Sequence, residues 1–176
     1  MAAGLLATAC GGSGSPGGDN PPPPPPPPPA GVSKTEAFAF LNQATFGATE
    51  AEAQRLQSLG DASNAYARWI DEQLQQPVSL QLAHVQAVYA TLPQPVQNIG
   101  RLNNDRVDIW FRNVVNGPDQ LRQRVAFALS EIMVVSQQSA LQNSPYALAD
   151  YYDLLARDAF GDFRQLMEDV TLHPAM

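Results

Sequence analysis

The chain has 176 residues, a formal net charge of −7 and a pI near 4.6. This acidic balance argues against a nucleic-acid-binding protein, which would need a basic surface. No run of eighteen apolar residues is present, so no segment is predicted to cross a membrane as a helix. Cys10 is the only cysteine, which excludes an intrachain disulfide and a cysteine-based zinc site.

The first 33 residues differ in composition from the rest of the chain. They hold ten of the sixteen prolines and seven of the twelve glycines, with Asp19 as their only charge. The whole chain has a net charge of −7, and Asp19 contributes −1 of it, so the remaining residues carry −6. They are enough for one domain with a core. We therefore divide the chain into a signal remnant (1–10), a disordered Gly/Ser/Pro-rich linker (11–33) and a helical domain (34–176).

The first part resembles the end of a bacterial lipoprotein signal. Residues 2–9 are small and apolar and lead directly into Cys10, which would then be the lipidated residue. The stretch is short and no Lys or Arg precedes it, departures that a start codon assigned too far downstream would explain. The resemblance implies an exported protein, anchored in a membrane through Cys10 on its periplasmic or cell-surface side. The alternative is an incidental thiol in a disordered terminus.

The linker combines a flexible piece with a stiff one. Residues 11–20 are polar and rich in glycine, and nine consecutive prolines follow at 21–29. Such a run forms a polyproline II rod of ~28 Å at about 3.1 Å per residue. A spacer between an anchor and the domain is the commoner role of such a segment, although the prolines could also dock in an aromatic groove of a partner.

Eight helical segments are predicted in the domain. The first two open with capping boxes, in which Ser33 precedes Glu36 and Thr49 precedes Glu52 by three residues. The other predicted helices span 62–75, 79–92 with Ser79 as the cap, 105–115 with Val107, Trp110, Phe111 and Val114 inward, 121–136, 145–160 and 163–172. No stretch with period-two alternation competes with them. We predict an all-α fold, an irregular bundle of about eight helices.

The segment Leu121–Ser136 stands out as the centre of this bundle. Between Val125 and Val135 only Ser130 and Glu131 are polar, so a helix here would be apolar on nearly every side. Such a helix is expected to be buried by its neighbours.

Four segments resemble the bacterial family called domain of unknown function 1800. They are FLNQATFGATEAEAQRL, WIDEQL, LRQRVAFALSEIMVVS and YYDLLARDAFGDFRQLMEDVTLHPAM, which occur in the family's order and are spread over most of residues 38–176. The resemblance implies an exported protein longer than this chain, whose family pattern continues past Met176. Many members carry a Trp-His-x-His-like patch where this chain has Leu129–Ser130–Glu131–Ile132, so no metal or acid–base role is carried over from that patch.

Two side chains are weak candidates for catalysis. Glu131 would be a buried carboxylate, the kind of group that serves as a general acid or base at neutral pH. The simpler interpretation pairs it with Arg106 or Arg157 on a neighbouring helix. His173 follows the last helix, where it either interacts with the helix C-terminus or takes a catalytic role.

The other polar residues give weaker signals. His84 is expected on the surface or half-buried. The carboxylates around Tyr151 and Tyr152 could serve a carbohydrate or peptide site, but a solvated face beside a core stripe explains them more simply; Asp153 and Arg157 have the spacing of an i,i+4 pair. With two histidines in the chain and no cysteine in the domain, we predict no metal site and no cofactor.

These observations lead to two functional hypotheses. The first is a non-catalytic helical domain of an exported, lipid-anchored protein, with a binding or assembly role in the cell envelope and an envelope protein as partner. The second is the N-terminal part of an extracytoplasmic hydrolase, whose active site is completed by residues after Met176.

Overall fold

The computed structural model of the protein describes residues 30–93 and 95–176. Cys10 and the proline run lie outside these residues. Within them the chain forms eight α-helices and no strand, with one isolated bridge between Gly31 and Asp61. The all-α prediction is confirmed. None of the helices in this part of the chain is long and apolar enough to cross a membrane.

The helix bounds follow the predicted order. They are α1 (Lys34–Ala44), α2 (Glu50–Ser58), α3 (Ala62–Leu74), α4 (Leu82–Thr91), α5 (Ile99–Asn116), α6 (Gln120–Ser130), α7 (Pro145–Asp158) and α8 (Phe163–Leu172). Two short 3-10 helices, Pro95–Asn98 and Ser139–Asn143, precede α5 and α7.

Local capping starts the first two helices. The Ser33 hydroxyl accepts from the Glu36 N–H, and the Glu36 carboxylate accepts from the Ser33 N–H, which completes the predicted capping box. Thr49 accepts from the Glu52 N–H in the same way. The Glu52 carboxylate does not reach back to its cap, because it accepts instead from the Trp69 indole N–H at 2.9 Å and from the Arg55 guanidinium. This bond ties α2 to α3.

The fifth helix begins earlier than predicted and turns a different face inward. It starts at Ile99, six residues before Asp105, so that two more turns join its buried side. The buried residues are Leu102, Asn103, Arg106, Ile109 and Val114. Of the residues expected inside, Val114 is buried and Trp110 partly buried, but Val107 and Phe111 are exposed. The added turns supply two of the five buried residues, Leu102 and Asn103, and the exposed Val107 and Phe111 form an apolar stripe on the outside of the helix.

The sixth helix is shorter than predicted and is not apolar on every side. It ends at Ser130, and a turn follows in which the N–H groups of Ile132 and Met133 both donate to the Leu129 carbonyl. Met133 is buried, whereas Ile132 and Val134 are 75% and 66% exposed. The Tyr151 hydroxyl of α7 donates to the Met133 carbonyl at 2.7 Å. The prediction of a buried helix up to Ser136 is therefore wrong, because the helix gives way to a turn at 131–133 and only Met133 of the apolar run after Glu131 is fully buried.

The start of α4 depends on a distant carboxylate. Ser79 does not cap the helix, because its N–H and hydroxyl donate to the buried Asp119 carboxylate at 2.9 and 2.6 Å. Instead the N–H groups of Gln81 and Leu82 donate to Asp153 of α7, at 2.8 and 2.9 Å. Asp153 is only 1% exposed. Burial raises the pKa of this carboxyl above its ordinary value, and the two N–H donors offset part of that effect.

The seventh helix lies at the centre of the domain, since it packs against α4, α5, α6 and α8. Its buried side chains include Leu148, Tyr151 and Leu155. The expected Asp153–Arg157 ion pair does not form, because Asp153 faces α4, and Arg157 lies 3.6 Å from Asp150 instead. Among the described helices, α7 thus has the most buried residues, one element later than the predicted centre.

Replacing Asp153 with alanine leaves the first N–H groups of α4 without an acceptor in the interior. We expect Asp153→Ala to lower the free energy of unfolding in urea by about 2–4 kcal/mol, since each unsatisfied buried donor costs about 1–3 kcal/mol. Asp162→Ala is the matched control, because Asp162 caps α8 at the surface and its loss costs about 1 kcal/mol. An equal loss in the two variants would contradict the role given to Asp153.

Candidate functional site

A pocket of about 250 Å³ opens where α5, the end of α6 and α7 meet. Three helices contribute to it because α5 packs against both α6 and α7. Its lining residues are Arg106, Val107 and Trp110 of α5, Phe127 and Ser130 of α6, Glu131 directly after α6, and Tyr152 of α7. The volume lies just below the roughly 300–1,000 Å³ of sites for drug-sized ligands. The pocket therefore suits a small molecule.

Aromatic rings support the wall of this pocket. Trp110 and Phe127 have ring centroids 6.0 Å apart, and Phe46 from the turn after α1 packs edge-on against each, at 5.9 and 5.7 Å. The Arg124 guanidinium lies 5.3 Å from the centre of the Phe46 ring. Edge-on aromatic pairs and a cation over a ring face are favourable arrangements. Phe46, which does not line the pocket itself, thus packs against two residues that do, Trp110 and Phe127.

Arg106 is the charged group of the pocket wall. It is only 8% exposed, and its Nη2 donates to the Gln137 side-chain oxygen at 2.9 Å. Its guanidinium lies 5.6 Å from the centre of the Tyr152 ring. The buried Nε has no hydrogen-bond partner, and none of the ion pairs among the described residues involves Arg106. The guanidinium is thus stabilised by one neutral oxygen and one ring, without an opposite charge.

The electrostatics of Arg106 follow from this environment. Burial lowers the pKa of the guanidinium, while the nearby Tyr152 acts in the other direction. An arginine stays protonated in proteins nevertheless, so the wall carries a full positive charge. A buried charge without a partner is unfavourable by several kcal/mol. A ligand that brings a negative charge to this wall would offset that penalty.

Glu131 does not lie where the sequence predicted. It is the exposed C-cap residue of α6, so the expectation of a buried carboxylate is wrong. Neither Arg106 nor Arg157 lies within ion-pair distance, and its carboxylate has no hydrogen bond to any described residue. The physical reason is its position around the helix, since Ala128, three residues earlier on the same side, is also exposed, whereas the buried residues of α6 are Gln123 and Ala126. Glu131 and Arg106 nevertheless line the same pocket.

His173 lies away from the pocket. It is the C-cap residue of α8, which agrees with the simpler interpretation of the sequence. Its Nε2 lies 3.4 Å from an Asp150 oxygen, its Nδ1 accepts from the Ala175 N–H at 3.1 Å, and its ring packs against Tyr151. The structure therefore does not bring the two catalytic candidates together. A catalytic role for either residue stays a prediction.

The remaining polar candidates form no second site. His84 is half-buried in α4, as expected. Asp150 is shared between His173 and Arg157 at the surface of α7. Within residues 30–93 and 95–176, no group of three or more His, Cys, Asp or Glu side chains is arranged to hold a metal ion.

Sequence reasoning missed most of this pocket. Arg106 was considered only as a partner for Glu131, and Tyr152 only as part of a core stripe. The available signal was the polar residue Arg106 four positions before Trp110, which places both on one side of a helix that begins before Asp105. The face predicted to be inward included Val107 and Phe111 instead, and both are exposed in the structure.

The comparisons with known proteins agree with the four segments quoted above. No curated protein and no solved structure matches the chain at a significant level. The family model described as Protein of unknown function (DUF1800) matches residues 39–176. This range covers the helical domain almost completely, including every residue that lines the pocket. The chain therefore belongs to the DUF1800 family of proteins of unknown function.

Proposed function

We propose that the chain is an exported, lipid-anchored protein whose helical domain binds a small carboxylate ligand in the cell envelope. The binding site is the pocket beside Arg106. The proposal combines the lipoprotein-like segment before Cys10 with the open pocket of the domain. The proline run between them would act as the spacer that holds the pocket away from the membrane.

One observation carries the binding site: the buried, positively charged Arg106 has no carboxylate partner in a pocket that is open to solvent. An arginine presents donors in a fixed fork that matches a carboxylate with two parallel hydrogen bonds. Residues that bind ligands are often unfavourable for stability, because the site is built for the bound state. Arg106 has this property.

Binding accounts for the geometry better than hydrolysis does. A general acid or base acts together with a second group within hydrogen-bond reach of the same substrate. Glu131 lines the pocket, but His173 is held by Asp150 and Tyr151 at the end of α8. No pairing of nucleophile and base is found among the pocket residues. The hydrolase alternative requires residues beyond Met176 and has no observation in its favour here.

Replacing Arg106 with methionine separates binding from stability. We expect Arg106→Met to leave the free energy of unfolding unchanged or raise it by about 1 kcal/mol, because an unpaired buried charge is removed and the apolar stem is kept. We expect the same variant to lose measurable binding of 3-phenylpropionate, a carboxylate with a ring for the aromatic wall. Urea unfolding and isothermal titration calorimetry of the full chain give the two values.

Arg112→Met is the matched control, because Arg112 is an exposed arginine on the same helix and does not line the pocket. It should bind 3-phenylpropionate as the unchanged protein does. Equal binding by Arg106→Met and Arg112→Met would contradict the proposed site, whatever the stability of the variants.

The anchor is tested separately in cells. Lipoprotein processing needs the thiol of Cys10, so Cys10→Ala should move the protein from the membrane fraction to the soluble fraction. Globomycin, which blocks the lipoprotein signal peptidase, should make the unprocessed form of the unchanged protein accumulate. Cell fractionation followed by immunoblotting measures both effects. A soluble product that neither treatment alters would overturn the anchor and leave the pocket proposal untouched.

A further inference from the structure

We infer that the ligand of the Arg106 pocket is a free α-amino acid with an apolar side chain, bound as a zwitterion. The inference rests on the proposed function, since it uses the same pocket and names the class of ligand. It goes beyond that proposal by giving the carboxylate of Glu131 a role. Arg106 would bind the carboxylate of the amino acid, and Glu131 would bind its ammonium group.

The first argument is the arrangement of charge. Arg106 is buried in the wall and Glu131 is exposed beside it, and neither has an ion-pair partner although both line the same small pocket. Their charged groups are more than 4.0 Å apart, since no ion pair joins them. A ligand with one negative and one positive group can contact both residues at once.

The second argument is that Glu131 acts against a simple anion. A carboxylate, sulfate or phosphate ion bound to Arg106 would bring a second negative charge into the pocket that Glu131 lines, and like charges in a partly buried site repel. A ligand with an ammonium group next to its carboxylate turns this repulsion into attraction. Glu131 therefore gives the pocket selectivity for zwitterions over anions, which is discrimination by an unfavourable contact.

The third argument concerns size and walls. The volume of about 250 Å³ is below the usual range for drug-sized ligands and suits a molecule as small as one amino acid. Val107, Trp110, Phe127 and Tyr152 give the rest of the lining a largely apolar and aromatic character. Such walls favour an apolar or aromatic side chain over a charged one, because burial of a third charge would be unfavourable.

Two probes that differ only in the ammonium group test the inference. L-Phenylalanine and 3-phenylpropionate share the phenyl ring, the chain length and the carboxylate. We expect the full chain to bind L-phenylalanine at least tenfold more tightly than 3-phenylpropionate at pH 7, as measured by isothermal titration calorimetry. Both probes should lose their affinity in Arg106→Met, because each uses the guanidinium.

The decisive variant is Glu131→Gln, which keeps the shape of the side chain and removes its charge. This variant should bind L-phenylalanine more weakly and 3-phenylpropionate more tightly than the unchanged protein does, so that the tenfold preference disappears. Glu168→Gln is the matched control, since Glu168 is exposed on α8 and lies outside the pocket. This control should keep the full preference. Because Glu131 is exposed, the variant is expected to fold as the unchanged protein does.

The outcomes separate this inference from the proposed function. If 3-phenylpropionate binds as well as L-phenylalanine, and Arg106→Met abolishes both, the pocket binds simple carboxylates and the inference is overturned while the proposed function holds. If neither probe binds, both are overturned. If L-phenylalanine is preferred but Glu131→Gln keeps the preference, the role of Glu131 is overturned. Only loss of the preference in Glu131→Gln, and not in Glu168→Gln, supports the inference.

Discussion

The hydrogen bonds that Asp153 accepts from the first N–H groups of α4 connect two parts of the chain about seventy residues apart. Tyr151, two positions earlier on α7, donates to the Met133 carbonyl and so fixes the segment that follows α6. Both side chains are buried, and their partners are backbone groups that would otherwise be unsatisfied. The position of α7 therefore determines where α4 begins and how the chain leaves α6.

The pocket is a consequence of this arrangement. Glu131 follows α6 on the side of Ala128, which faces solvent, so its carboxylate is exposed beside the pocket. Tyr152, next to Tyr151 on α7, also lines the pocket and lies near the Arg106 guanidinium. The same helix that holds the core together thus supplies one side of the candidate binding site. A buried positive charge, Arg106, and an exposed negative charge, Glu131, remain in the lining of the pocket without ion-pair partners.

The sequence predicts those features of the fold that depend on local contacts. The capping side chain of Ser33 and its partner lie within three residues of each other, so the start of α1 is visible in the pattern. The start of α4 is not, because its acceptor, Asp153, is remote in sequence. The path of the chain after α6 involves Tyr151 in the same way, and an apolar run that leaves the helix through a turn resembles a buried helix until that contact is known. The pocket was missed for this reason: its geometry depends on long-range contacts.

The account centres on the claim that Arg106 is kept without a protein carboxylate so that it can bind the carboxylate of a ligand. The most direct measurement is the ¹⁵N NMR spectrum of the arginine side chains in the full chain, with the Arg106 Nε–H signal assigned by its loss in Arg106→Met. The account predicts that this signal shifts when L-phenylalanine is added and saturates at the concentration at which calorimetry shows full binding. A signal that does not move while the ligand binds would contradict it.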